Sequence, residues 1–397
     1  MDKEAATVGG MKSFKHLSAP LRLFHGADSF AQLGSELDRL RAKHAMIVCG
    51  ASMVRERRVL DLVRAALADR CAGVFDGVRG HSPVPAVQAA AGELKRVGAD
   101  AVIALGGGSA IVTARAASIL LAEQGDVRSL STSRNAQGEL QSPRLKAPKL
   151  PQFVIPTTPT SAIVKAGSAL TDPSTHERLA LFDPKTRAHA VFIHPDAVKT
   201  APRELVIGAS LDTFVLAVEG LTSLRGDPIA DGLLMQSVRL LYRHLSSGIA
   251  DDAASRGDLM LAAILCGQGT DHTGGGIATA LGHAITPYSH ADNGVTKAII
   301  LPHALRFNAD ATRDSLAKVV AALETPARTA EALGVALDAV QELVGKLGVP
   351  QRLREAGVAR DALSRVAAQT MSDWWLRGNP RRVTDVAELQ QVLEEAW

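Results

Sequence analysis

Short apolar runs of strand length alternate with helical patterns through the first third of the chain, and that alternation leaves few folds open. Ala45–Cys49 reads as a buried strand, followed by a turn at Gly50–Ser52 and a helix with apolar positions at Val59, Leu60, Val63 and Leu67. Ala72–Phe75 reads as a second strand. Val84–Val97 reads as a helix with Pro85 in its first turn, where a missing N–H costs little. Ala101–Leu105 is the third strand, and a helix over Ala110–Leu121 follows. Strands separated by helices build right-handed βαβ units, hence a parallel sheet with ligand sites at the carboxyl ends of its strands.

The pattern loosens into a polar loop from Asn135 to Pro151 and resumes as a strand at Phe153–Ile155, ending on Pro156–Pro159. Leu179–Phe182 and Ala190–Ile193 look like a hairpin or a sheet edge joined through the Asp183–Pro184 turn. Beyond Pro202 long helical patterns take over, at Leu205–Leu221, Ile229–Leu245, Arg256–Gly269, Ala298–Asn308 and Arg313–Leu323. A chain of 397 residues exceeds what one hydrophobic core usually organises. The expectation is an α/β Rossmann-like domain with a parallel sheet over residues 1–202, then an all-α domain over 203–397.

Composition excludes several classes. Hydrophobic residues make up 46% and charged residues 21%, an ordinary globular balance. With 44 basic against 41 acidic residues and no basic block interleaved with aromatics, nucleic acid is not an expected partner. Cys49, Cys71 and Cys266 are odd in number and far apart, which indicates neither a disulfide framework nor a cysteine zinc site. Met1–Leu17 has no apolar core of a leader, and no run approaches the ~18 apolar residues of a membrane helix. A cytoplasmic protein with a frayed first dozen residues is expected, with no membrane partner.

The strongest local signal is Gly106–Gly107–Gly108–Ser109, directly after a strand and before a helix. Glycines let a backbone approach a phosphate, and the unpaired N–H groups of the helix start favour an anion, with Ser109 as the natural N-cap. A bare glycine run is more often a plain turn; the strand and helix on either side favour the pyrophosphate of a dinucleotide.

Further motifs extend the signal along the chain: Ile155–Thr158, Asp212 with Glu219, Gly282–His283, Leu301–Asn308 and Asn379–Arg381. Together they resemble the iron-containing alcohol dehydrogenase family over nearly the whole length. His81–Val84 and a shortened loop after Thr158 look most like its maleylacetate reductase branch. The resemblance implies the dehydroquinate synthase-like fold of iron-type alcohol dehydrogenases. It also implies NAD or NADP bound across Gly106, Gly107, Gly108, Ser109, Thr157 and Thr158, and a small alcohol or carbonyl substrate. A homodimer is left open.

The same resemblance places a divalent metal on an aspartate and three histidines. Here the aspartate is Asp212, and the histidine positions hold Leu216, Thr279 and Asn293. Leucine cannot bind a metal, and neutral hydroxyl and amide oxygens replace imidazole poorly, so no tightly bound metal is expected. The family's active-site histidine that is not a ligand corresponds to His283. Where many members have an aspartate after the glycines this chain has Val112. Where they often have an acidic residue for the adenine ribose it has Gly50, with Arg55, Arg57 and Arg58 nearby. That substitution favours NADPH; alternatively, Gly50 is a turn glycine and the arginines a solvated face.

Without a metal, His283 or a lysine, Lys165 or Lys297, has to polarise and protonate the carbonyl, and Asp212 is also expected among the catalytic residues. Asp271, His272, His290 and Asp292 offer a relocated metal site together with Asp212 and His283, against the plainer reading of surface groups. Three functions stay open on sequence: hydride transfer between NAD(P)H and a small aldehyde, ketone or oxo acid; a catalytically silent nucleotide-binding paralogue; and a metal-free non-redox enzyme of the same fold.

Overall fold

A computed structural model describes residues 13–135, 140–175, 177–248, 251–325 and 328–397. The expected fraying of the first dozen residues lies outside them. The N-terminal half carries strands β1 (Arg22–His25), β2 (Ala45–Gly50), β3 (Cys71–Val78), β4 (Ala101–Gly106), β5 (Ser133–Arg134), β6 (Leu140–Gln141), β7 (Gln152–Pro156), β8 (Gly167–Thr171), β9 (Arg178–Phe182) and β10 (Ala188–Ile193). Its helices are α1 (Leu33–Arg39), α2 (Ala51–Glu56), α3 (Arg58–Leu67), α4 (Val84–Arg96), α5 (Gly108–Glu123) and α6 (Pro195–Val198).

Six strands pair in parallel in the order β1-β10-β7-β4-β2-β3. The period-2 alternation of the strands divides the core into two layers. Ala45, Ile47 and Cys49 with Ile103, Leu105 and Phe153 face one set of helices, and Met46 and Val48 with Val102, Ala104 and Val154 face the other. The chain steps outward from β2 to β3 and then returns across β2 to β4. The ends of β2 and β4, Gly50 and Gly106, therefore flank the crevice at this change of direction, where α/β sheets bind ligands.

Two expectations change. Leu179–Phe182 and Ala190–Ile193 are not a hairpin: β9 pairs antiparallel with β8, whereas β10 lies inside the main sheet between β1 and β7. Every residue of β10 but His189 is buried, so it needs neighbours on both sides rather than an edge. The expected turn at Gly50–Ser52 is already helical, since α2 starts at Ala51.

The C-terminal half is built from α7 (Arg203–Thr222), α8 (Pro228–Ser246), α9 (Ala253–Thr273), α10 (Ile277–Ile285), α11 (Asn293–Phe307), α12 (Ala309–Ala322), α13 (Ala332–Leu347), α14 (Leu363–Thr370) and α15 (Val386–Ala396). Helix α7 is apolar almost all round because it is the central rod of this half, packed by α8, α9, α11 and α12. It is long and apolar enough to cross a membrane, with mean hydropathy 1.6, but 83% of that stretch is buried inside the protein. Cys49, Cys71 and Cys266 are free thiols, and burial pushes those of Cys49 and Cys266 up to about 12.

Candidate active site

The glycine segment forms a close-packed turn whose shape requires its composition. Gly106 has φ +145°, a conformation side chains avoid, and Gly107 is extended and caps α5. A Cβ on Gly107 would stand 2.7 Å from Thr158 Oγ1, and the Thr157 N–H donates to the Gly106 carbonyl at 3.1 Å. The expected cofactor residues Gly106, Gly107, Gly108, Thr157 and Thr158 thus come together at the head of α5, Gly107 and Gly108 partly exposed beside the helix N–H groups that would face a pyrophosphate. Ser109 is not the N-cap. It sits inside the first turn, where its hydroxyl accepts from the His81 N–H at 3.2 Å and its carbonyl accepts from Ser82 Oγ at 3.1 Å.

Gly50 ends β2, and a Cβ there would meet nothing closer than Ser52 Oγ at 3.8 Å, so a side chain fits. Of the nearby arginines, Arg58 is paired to Asp196 at 3.1 Å and Arg57 reaches Asp61 only at 4.0 Å. Arg55 is exposed and holds no ion pair among the described residues. Gly50→Asp is expected to lower the NADPH-over-NADH preference roughly tenfold, the scale of one like-charge contact in a partly solvated site. Paired Kd titrations check it; an unchanged ratio removes Gly50 from cofactor choice.

The second half of the site is made where α7 crosses α11. The helices touch at Gly208 and Gly294, close enough that a Cβ on Gly294 would overlap the Gly208 carbonyl. About one turn further along each helix stand Asp212 and Lys297, and the Lys297 ammonium donates to Asp212 Oδ1 at 2.6 Å. The stem of Lys297 runs across Gly282 of α10, which has no side chain to obstruct it.

The remaining positions that the resemblance gives to a metal do not fit one. Leu216 is apolar and buried. Thr279 donates its hydroxyl at 2.5 Å to Glu219, a buried carboxylate that also accepts the Ala278 N–H at 2.7 Å; burial raises its pKa. The Asn293 side-chain oxygen is 3.4 Å from Thr286 Oγ1. One carboxylate that already holds an ammonium, with no imidazole, is not a donor set for iron or zinc.

His283 hydrogen-bonds through Nδ1 to Asp373 Oδ2 at 2.9 Å, and Asp373 is fixed in turn by the Trp375 N–H at 2.8 Å. Two effects oppose each other at this imidazole. Burial, then the positive charges of Arg178 and Lys297, disfavour its protonated form, while Asp373 favours it; the first group wins and His283 is pushed down to about 3. The neutral ring donates Nδ1–H to Asp373, which can only accept, and Nε2 is left with a lone pair.

Lys165, Asp212, His283 and Lys297 all line one cleft of about 590 Å3, as do Val112, Thr160 and Ser161 below the glycine turn. Lys165 is tethered, donating to Thr270 at 2.8 Å and pairing with Asp271 at 3.1 Å; burial lowers its pKa. The relocated metal cluster does not assemble. Asp292 caps α11 through the Gly294 N–H, the His290 ring packs on Gly357, and His283 is committed to Asp373. His272 stacks instead on His16, which pairs with Asp227 at 3.1 Å. That trio is the one cluster of three metal-capable side chains within reach of one another among the described residues. Its imidazoles lie face to face at 3.7 Å, and its donor atoms come within 4.8 Å of one another.

Sequence reasoning missed Asp373, Trp374, Trp375 and Arg178. Nothing local marks them, and Asp373 meets His283 across 90 residues of chain. Asn308 ties α11 to the C-terminal stretch through reciprocal amide bonds with Asn379 at 2.7 and 3.0 Å, a structural rather than a ligand role.

Comparison with known proteins matches both halves. The model of iron-containing alcohol dehydrogenases fits residues 20–195, and that of the Fe-containing alcohol dehydrogenase family C-terminal part fits residues 206–397. Lactaldehyde reductase of Escherichia coli K12 is 28% identical over 381 residues, covering 94% of this chain and 97% of its own. A maleylacetate reductase of Sphingobium indicum is 27% identical over 375 residues, covering 94% of each. A solved 1,3-propanediol oxidoreductase shares the fold with a TM-score of 0.88 at 22% identity, covering 97% of this chain and 100% of that one.

Proposed function

The chain belongs to the iron-containing alcohol dehydrogenase family, and from that premise we propose that it moves a hydride between NAD(P)H and a small aldehyde, ketone or oxo acid with a lysine ammonium serving in place of a metal ion. It is an NAD(P)-dependent oxidoreductase of the alcohol dehydrogenase type. The observation that carries the metal-free reading is the Lys297 ammonium on Asp212 at 2.6 Å, on the carboxylate that would otherwise hold the ion. We place the division between the cofactor half and the helical half at residues 202 and 203, and the enzyme in the cytoplasm; α7, the one described helix long and apolar enough to cross a membrane, lies inside the core.

When bound, the cofactor supplies the hydride, which is the hard part of the chemistry. What the chain's own groups must do is polarise the carbonyl, stabilise the developing alkoxide and deliver a proton. Lys297 has three N–H donors; one is given to Asp212 and, among the described residues, the other two have no acceptor and can serve a carbonyl oxygen. The carbonyl oxygen would take a proton from Nζ as its carbon is reduced, and Asp212 would hold the resulting neutral amine until a proton from solvent, entering once the alcohol leaves, recharges it. His283, neutral and with its Nε2 lone pair free, is an acceptor. It accepts a hydrogen bond from the product hydroxyl and so orients it, and the acid of the reaction is the lysine rather than the histidine.

Purified protein is expected to contain far less than one iron or zinc per chain and to keep its aldehyde reductase activity in a chelator. Elemental analysis with an assay before and after dialysis against EDTA checks this. Stoichiometric metal, with activity lost to EDTA and restored by zinc or iron, would overturn it.

A further inference from the structure

We propose that Arg178 is an anion subsite of this cleft and that the substrate carries a carboxylate near its reacting carbonyl; the inference rests on the hydride-transfer reading above. Four cationic side chains line the cleft, Lys165, Arg178, Arg225 and Lys297, against two carboxylates, Asp212 and Asp271. The two lysines are held by the two acids. Among the described residues the guanidinium of Arg178 has no ion-pair or hydrogen-bond partner. Among the described residues Arg225 also holds no ion pair, so the excess positive charge belongs to the two arginines.

Arg178 is also set up to bind. Its guanidinium lies over the ring of Trp374, 5.3 Å from the centroid, a stacking that limits the rotamers of a long side chain and leaves its planar fork free at the edge. Trp374 follows Asp373, the partner of His283, and the charge of Arg178 is felt at the His283 ring. A carboxylate held on the fork would therefore sit beside the reacting group rather than at the far end of the cleft. The bidentate match of guanidinium to carboxylate supplies direction as well as charge, and an uncompensated positive cleft draws anions in. A neutral aldehyde would leave that charge unanswered.

The test compares 4-oxobutanoate with its uncharged amide in steady-state NADPH oxidation, together with calorimetric binding of succinate, which cannot be reduced. Wild-type protein is expected to favour the acid. Arg178→Met is expected to lower the acid-over-amide ratio of kcat/KM by about tenfold to hundredfold and to weaken succinate by a similar factor; Arg178→Lys should fall between. Thermal melts establish that the variants fold. An unchanged ratio and unchanged succinate binding in Arg178→Met would overturn the proposal. So would an equal loss of affinity for NADPH, which assigns the guanidinium to the cofactor. If neither carbonyl is reduced by the wild type, the hydride-transfer reading fails, and succinate binding alone then decides for or against the subsite.

Discussion

Replacing Lys297 by methionine is expected to lower kcat for aldehyde reduction by roughly 10²–10⁴-fold, the usual worth of a positioned acid. Methionine keeps an unbranched stem that can cross Gly282, so the loss falls on the ammonium rather than on packing. The substitution also strands Asp212, whose side chain is 26% exposed, without its partner. Some stability is lost with it, less than the ~3–5 kcal/mol of a fully buried pair because water reaches the carboxylate. The double variant Asp212→Asn with Lys297→Met separates the two effects: it should recover melting temperature but not rate. Adding zinc or iron to either variant should restore nothing. A Lys297→Met enzyme with near-normal kcat would transfer the acid role elsewhere in the cleft and remove the main support for the mechanism.

The second large effect is expected at the glycine turn. Gly107→Leu should weaken NADPH and NADH by roughly 10²-fold or more, because the new side chain must displace Thr158 and then stand where the pyrophosphate approaches the helix. Overpacking of this kind costs about 1–3 kcal/mol by itself. A fluorescence titration with a melting curve alongside tells lost binding from lost fold. Unaltered affinity in a folded variant would mean that the cofactor does not lie across this turn.

Much of the sheet was legible because its strands are buried on both faces and therefore read as short unbroken apolar runs. Ala45–Cys49, Ala101–Leu105 and Phe153–Ile155 were found in place to within a residue or two at either end. Strand β1 left no such trace, being four residues with no fully buried position. Ala190–Ile193 was recognisable as a strand, but its partners were not, since the pairing with β1 is made across most of the N-terminal half. Helix α10 was lost among the three glycines before it, although it carries His283. The site divides the same way. The glycine turn and the threonines are local signals. The joining of Lys297 to Asp212 depends on a crossing of helices separated by 85 residues, and sequence offered both residues without their contact.

The lysine on Asp212 also bears on how the protein comes to be ready for work. A cation carried on a side chain is installed by translation and set in place by the same packing, Gly208 against Gly294, that forms the helical core. On this reading folding and activation are one event. If Lys297 takes the metal's place, no delivery protein or ion supply need stand between the new chain and its first turnover, and no iron centre would be there for oxygen to damage. The cost is adjustability, since a lysine cannot be exchanged for another ion when conditions change.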